Sequence, residues 1–182
     1  GKWFVTATWQ GSGIRVWDVH SGECLVDLLP QASSASVRFS PNGEWLAASD
    51  GTRSYIWQTS NWELVHQVTK EHPDGWPGPI AFSPDSSVVA IPHSRYVAQL
   101  TNPVTGKTLG VLEAPTHDSL DSYSFNADGT RLAITEGERI QLWDLAELRC
   151  NLEAMGLDWD APRAARRMSL SPDERMTIVV DR

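Results

Sequence analysis

Cysteine is nearly absent. Cys24 and Cys150 are the only two in 182 residues, too few for a disulfide framework and without the paired spacing of a zinc site. They are expected to be two buried free thiols of a reducing compartment. Positive charge is also scarce: Lys+Arg number 15 against 23 Asp+Glu, for a net charge of -8. Such a field repels nucleic-acid phosphate and anionic membrane, so neither is expected as a partner. There is no run of about 18 apolar residues that could span a bilayer and no Asn-x-Ser/Thr acceptor, and a cytoplasmic location is expected. The chain opens on Gly1 rather than Met, which leaves room for a targeting sequence upstream.

Organised chemistry is missing too. The five histidines stand at 20, 66, 72, 93 and 117, without the i, i+4 pairing of a helical metal site. No Gly-x-Ser-x-Gly elbow is present, and no cysteine with a local histidine signature. In TNPVTGKTLG the run Gly106-Lys107-Thr108 ends like a phosphate-binding loop, but the required first glycine is Thr101 and no helix context follows. Thr105-Gly106 is expected to be a turn before an outer strand, as is Ser21-Gly22, and Gly11-Ser12-Gly13 a hairpin turn. Glu136 and Glu138 are expected to be solvated at another hairpin turn. No catalytic residue, metal ligand or cofactor is therefore expected.

What the chain does contain is tryptophan, nine of them, and a repeat. VRFSPNGEWLAASDG (37 to 51), IAFSPDSSVVAIPHS (80 to 94) and YSFNADGTRLAITEG (123 to 137) align without gaps. Phe39, Phe82 and Phe125 fall 43 residues apart, and so do Trp57, Leu100 and Trp143. Each unit divides into four short alternating segments. In the second unit these are 35 to 40, 44 to 50, 54 to 58 and 63 to 69, separated by Ser, Asn and Gly turns. One four-stranded sheet is too small to be stable alone, so its two faces must stack on neighbours. A period of about 40 to 45 residues with four strands is that of a propeller blade.

Through FSPNG, FSPD, IRVWDVHSG and IQLWD the chain resembles the WD-repeat (Trp-Asp repeat) family from residue 1 to about 144, with a weaker return at MSLSPDERMTIVV. The resemblance implies an all-β fold. The expected architecture is a β-propeller of four-stranded antiparallel blades, incomplete in this chain, with three whole or nearly whole blades plus partial ones. It implies that Trp17, Trp57 and Trp143 are rigid core pieces between blades, and that Trp17-Asp18 is a structural stitch. Asp18 and Asp144 keep the family's Asp, Gln58 and Thr101 replace it, Leu100 replaces a Trp, and the Gly-His pair is absent. Its inner hydrogen-bond relay is thus degraded, and packing is expected to hold the blades.

Residues 1–144 are expected to form the blades, the first lacking its inner strand. Residues 145–160 form a helical segment, because Leu145, Leu148, Leu152 and Met155 recur at helical spacing before Gly156. The helix is expected near 145–155, in place of an outer strand. Residues 161–167, with Arg163, Arg166 and Arg167, form a basic linker, and 168–182 begin a further blade. The 144–160 segment resembles one that follows the last repeat in many bacterial WD-repeat proteins, some with a protein kinase domain upstream.

The family's partner contacts lie on the rim that carries the connections between second and third strands and between blades. Here that rim would present Trp9, Trp76, His93, Arg95 and His117 to protein partners. Trp76 is flanked by Pro77 and Pro79, which lower the entropy of ordering an aromatic anchor; the alternative is that Trp76 folds down onto its own blade. The expected role is a non-catalytic protein-protein interaction scaffold within a larger protein. Two alternatives stand beside it: a regulatory or substrate-docking segment of a multidomain enzyme such as a bacterial Ser/Thr protein kinase, and a fragment that self-associates through open blade edges.

Overall fold

The computed structural model describes residues 1–11, 13–115 and 118–156. They form four antiparallel sheets in chain order and one helix. The first sheet has three strands, β1 (Trp3–Ala7), β2 (Ile14–Asp18) and β3 (Cys24–Asp27). The second has four, β4 (Ala35–Phe39), β5 (Trp45–Asp50), β6 (Arg53–Gln58) and β7 (Glu63–Thr69). The third is β8 (Ala81–Phe82), β9 (Val89–Pro92), β10 (Val97–Thr101) and β11 (Thr108–Glu113). The fourth is β12 (Leu120–Phe125), β13 (Arg131–Glu136) and β14 (Arg139–Asp144), followed by α1 (Leu145–Ala154).

Each sheet is a simple up-and-down meander, and β4, β8 and β12 lie against one another at the inner side. This is the all-β, blade-by-blade architecture expected from the repeat, and the four sheets do not close a ring. Strand alternation sends neighbouring residues to opposite faces, which the two central strands show directly. Trp45 and Ala47 of β5 enter the core facing the third sheet, and Leu46 and Ala48 enter the core facing the first. In β9, Val89 and Ile91 face back to the second sheet, while Ala90, and Val88 just before the strand, face forward to the fourth. Three inter-sheet cores result, and burial of both faces makes β5 read WLAASD rather than apolar-polar.

Trp57, in the core between the first and second sheets, stacks on Tyr55 at 5.5 Å. Trp143 packs against the core of the third and fourth. Trp17 differs from the expectation. It pairs with Phe4 in register and stacks on it at 5.9 Å, but on the face of the first sheet that no described sheet covers, and Phe4 is exposed. At the other end Ile140 and Leu142 are 66% and 63% exposed on the uncovered face of the fourth sheet.

The Trp-Asp stitch is visible in the turns. Asp18 Oδ1 accepts the N–H groups of His20 and Ser21, each at 2.8 Å, closing the turn into β3. Asp144 does the corresponding work for the helix: its side chain accepts from Glu147 N, which caps α1. The helix ends before Gly156, whose positive φ of 72° suits the left-handed residue after a helix C-terminus. Leu145, Leu148 and Leu152 pack on the last core, whereas Met155 is exposed.

Three expectations are corrected. Leu46 pairs with Trp57 and Leu132 with Trp143, but Val89 pairs with Thr101. Thr101, not Leu100, thus occupies the tryptophan's register in the third sheet, because its β9–β10 connection is longer; Leu100 turns to the opposite face. Asn102 then takes the role of Asp18, its Oδ1 accepting Val104 N and Thr105 N. Cys24 and Cys150 are free, as expected, but exposed rather than buried, since one is in an outer strand and the other on the helix. Glu136 is fully buried, not solvated, and Gln141 Nε2 donates to its Oε2.

The relay is reduced as expected. Trp17 Nε1 donates to Thr6 Oγ1 at 2.9 Å. In the fourth sheet Ile134 stands at the register position of Thr6, and Trp143 Nε1 is buried without a hydrogen-bond partner. The expected linker at 161–167 and partial blade at 168–182 lie outside the described residues.

Candidate functional site

In a meander, the turn between the second and third strands and the connection leaving the fourth emerge at the same end. Three such segments meet between the second and third sheets: the β5–β6 turn, the connection 70–79, and the β9–β10 connection. The site is built around Lys70, which follows β7 directly and is only 4% exposed. Its Nζ donates to Asp50 O at 2.7 Å, Trp76 O at 2.5 Å and Pro77 O at 3.1 Å. All three ammonium protons therefore have acceptors. Burial lowers the Lys70 pKa to about 8, with Asp74 and Asp50 pulling it upward and Arg95 adding to the depression.

The turn beneath it is tied by Asp50. Its Oδ1 accepts Thr52 N at 2.6 Å and Arg53 N at 2.7 Å, and its Oδ2 accepts the Tyr55 hydroxyl at 2.8 Å. Burial pushes the Asp50 carboxyl up, yet these donors outweigh it and hold it below the ordinary value. Burial, then the bond to Asp50, raises Tyr55. Gly51 brings the two loops into contact: Gly75 N donates to Gly51 O at 3.3 Å, and a Cβ on Gly51 would lie 2.4 Å from Gly75 Cα. Gly51→Ala is expected to lift the 71–79 connection, raising hydrogen exchange of the Gly75 amide at least tenfold while the sheets stay protected. Unchanged exchange there would remove the close approach from the picture.

Trp76 occupies the middle of the site, half-buried. Its N–H donates to Asp74 Oδ1 at 3.0 Å, and Arg95 Nε donates to Asp74 Oδ2 at 2.7 Å. Lys70 Nζ lies 5.8 Å and Arg95 Cζ 5.3 Å from the Trp76 ring centroid, within cation–π range. Burial raises Asp74, but the Trp76 N–H and Arg95 hold its carboxyl below the usual value. His93 sits alongside: its carbonyl accepts Glu71 N at 3.0 Å and its Nε2 is 3.8 Å from Glu71 Oε2.

Of the residues expected on the rim, Trp76, His93 and Arg95 thus come together. Trp9 belongs to the first sheet's β1–β2 connection, where it bridges to Ser34 and is 73% exposed. His117 lies outside the described residues. Lys70, Asp50 and Asp74 were missed; the available signal was a lysine directly after the outer strand and an Asp-Gly step in each loop. Among the described residues, no group of three or more His, Cys, Asp or Glu is placed to hold a metal ion, and no helix is long and apolar enough to cross a membrane.

The chain is similar to a yeast WD-repeat protein. That relative is U3 small nucleolar RNA-associated protein 21 of Saccharomyces cerevisiae, 38% identical over 56 residues. The match covers 31% of this chain and 6% of the relative's length. No family model matches the chain.

Proposed function

We propose that this chain is a non-catalytic protein-protein interaction scaffold, part of a WD-repeat propeller, that meets its partners with the rim around Trp76, His93 and Arg95 and with Trp9. The observation that carries this reading is the rim itself. A half-buried aromatic ring and a partly exposed guanidinium are held on loops fixed by Lys70, Asp50 and Asp74, so little ordering entropy remains to be lost on binding. The similarity to a WD-repeat protein agrees with a binding role. Residues 168–182 are proposed to begin a further blade, because Ser171-Pro172-Asp173 repeats Ser83-Pro84-Asp85 in the sequence.

The test is quantitative capture of proteins from the source cells by the full chain and its variants. Arg95→Ala and Trp9→Ala are each expected to reduce one captured set at least tenfold. Thr105→Ala, on the opposite end of the third sheet, is expected to leave capture unchanged. Thermal unfolding should be nearly the same for all three. Retention of every captured protein by both rim variants would end the rim assignment.

A further inference from the structure

Arg95 is held from two sides. Its Nε edge is occupied by Asp74 Oδ2 at 2.7 Å, and its Cζ lies over the Trp76 ring, 5.3 Å from the centroid. Both contacts leave the pair of Nη amino groups, and among the described residues no hydrogen bond to either is present. The side chain is 37% exposed. Trp76 is itself fixed from behind, since Lys70 binds the carbonyls of Trp76 and Pro77. A guanidinium whose Nη fork is free and whose orientation is already set is the geometry that grips a planar oxyanion through two parallel bonds.

We propose that Arg95 anchors a single carboxylate of an acidic peptide segment on a protein partner, a proposal that rests on the scaffold reading above. Asp50, Asp74 and Glu71 stand around Lys70 and Arg95, and this acidic setting weighs more against a phosphate dianion than against a single carboxylate. The Lys70 ammonium is spent on three carbonyls, and Asp74 is already bound to Arg95. Glu71 lies beside His93, so no second cation is offered to a dianion. What remains to Arg95 beside Asp74 is its pair of Nη donors, which suit the two oxygens of one carboxylate. Trp76 and Asp74 are positioning residues that hold the fork, and Lys70 holds Trp76.

The test is fluorescence anisotropy of the full chain with randomised ten-residue peptide pools, amidated at the C-terminus, fixed at one central position as Glu, Gln or phosphoserine. The Glu pool is expected to bind at least tenfold more tightly than the Gln pool. Arg95→Lys, which keeps the charge but not the fork, is expected to erase that preference without moving the thermal midpoint. A Glu pool with a free C-terminus shows whether a chain-end carboxylate serves as well; a gain there keeps the anchor and changes its source. Equal binding of the Glu and Gln pools, binding of neither, or an unchanged preference in Arg95→Lys overturns the proposal. A phosphoserine pool that binds more than tenfold above Glu overturns it in favour of phosphate. If the Glu and Gln pools bind equally and both weaken in Trp9→Ala, the scaffold reading survives and only the carboxylate anchor falls.

Discussion

Trp57→Ala is expected to cost about 3–5 kcal/mol of folding stability, the usual loss when a large buried aromatic is truncated. The same change at Trp17 is expected to cost roughly 1–2 kcal/mol, the worth of one ring stack and partial burial. Both are the tryptophan of the same repeat motif, and both sit at the same place in their strand. They differ in what faces them. Trp57 is 3% exposed, with Leu46, Ala48 and Tyr55 from its own sheet and Ile14 and Val16 from the first. Trp17 has Phe4 and the hydroxyl of Thr6, on a face no described sheet covers. Against a total stability of order 5–15 kcal/mol, the Trp57 loss removes a large share, and the Trp17 loss is tolerable. Urea unfolding monitored by circular dichroism measures both. Equal losses would mean that Trp17 is covered in solution as fully as Trp57.

The architecture was legible because the repeat carries it redundantly. Each unit spells two buried faces in one strand, as Trp45 and Ala47 against Leu46 and Ala48 do, and each marks its turns with Ser-Pro-Asn-Gly, Ser-Pro-Asp or Asn-Ala-Asp-Gly. The helix was legible too, since Leu145, Leu148 and Leu152 recur at helical spacing ahead of Gly156, although Met155, at the same spacing, stays exposed. The third sheet's register was not. A gapless alignment keeps Leu100 under Trp57, but a longer β9–β10 connection slides β10 along β9, and a slip of one residue reverses every side chain. Backbone pairing, not residue identity, decides that. The rim was half legible for a related reason. Aromatic and cationic residues on loops are conspicuous, which found Trp76, His93 and Arg95. Lys70 looks in sequence like an ordinary solvated strand end, and only the fold brings the carbonyls of Asp50, Trp76 and Pro77 around its ammonium. The Asp-Gly step in each loop marks the carboxylates that tie the site, but the main-chain acceptors around Lys70 leave no signature in residue types.

Lys70→Met is expected to cost about 2 kcal/mol at pH 7, and the cost is expected to widen as the pH rises. Methionine fills much of the aliphatic volume but leaves three carbonyls without the donor they have now, each an unmet acceptor in a largely buried setting. Relief from burying a charge offsets part of this. The pH dependence follows from the depression of the Lys70 pKa to about 8, against 10.5 for an unburied lysine. Between those values the unfolded chain still binds the proton and the folded chain has released it. Stability therefore rises with pH wherever the unfolded state holds more protons. The wild type gains through this window, by at most on the order of 2–3 kcal/mol. The variant has no group there to titrate and gains nothing from this source. The gap between the two is thus constant below about pH 7 and grows toward pH 10. Urea unfolding of both proteins at pH 7, 8.5 and 10 measures it. A gap that narrows with rising pH would show that the three carbonyl bonds stabilise the ammonium more than burial opposes it, and that Lys70 holds the rim as a favoured cation.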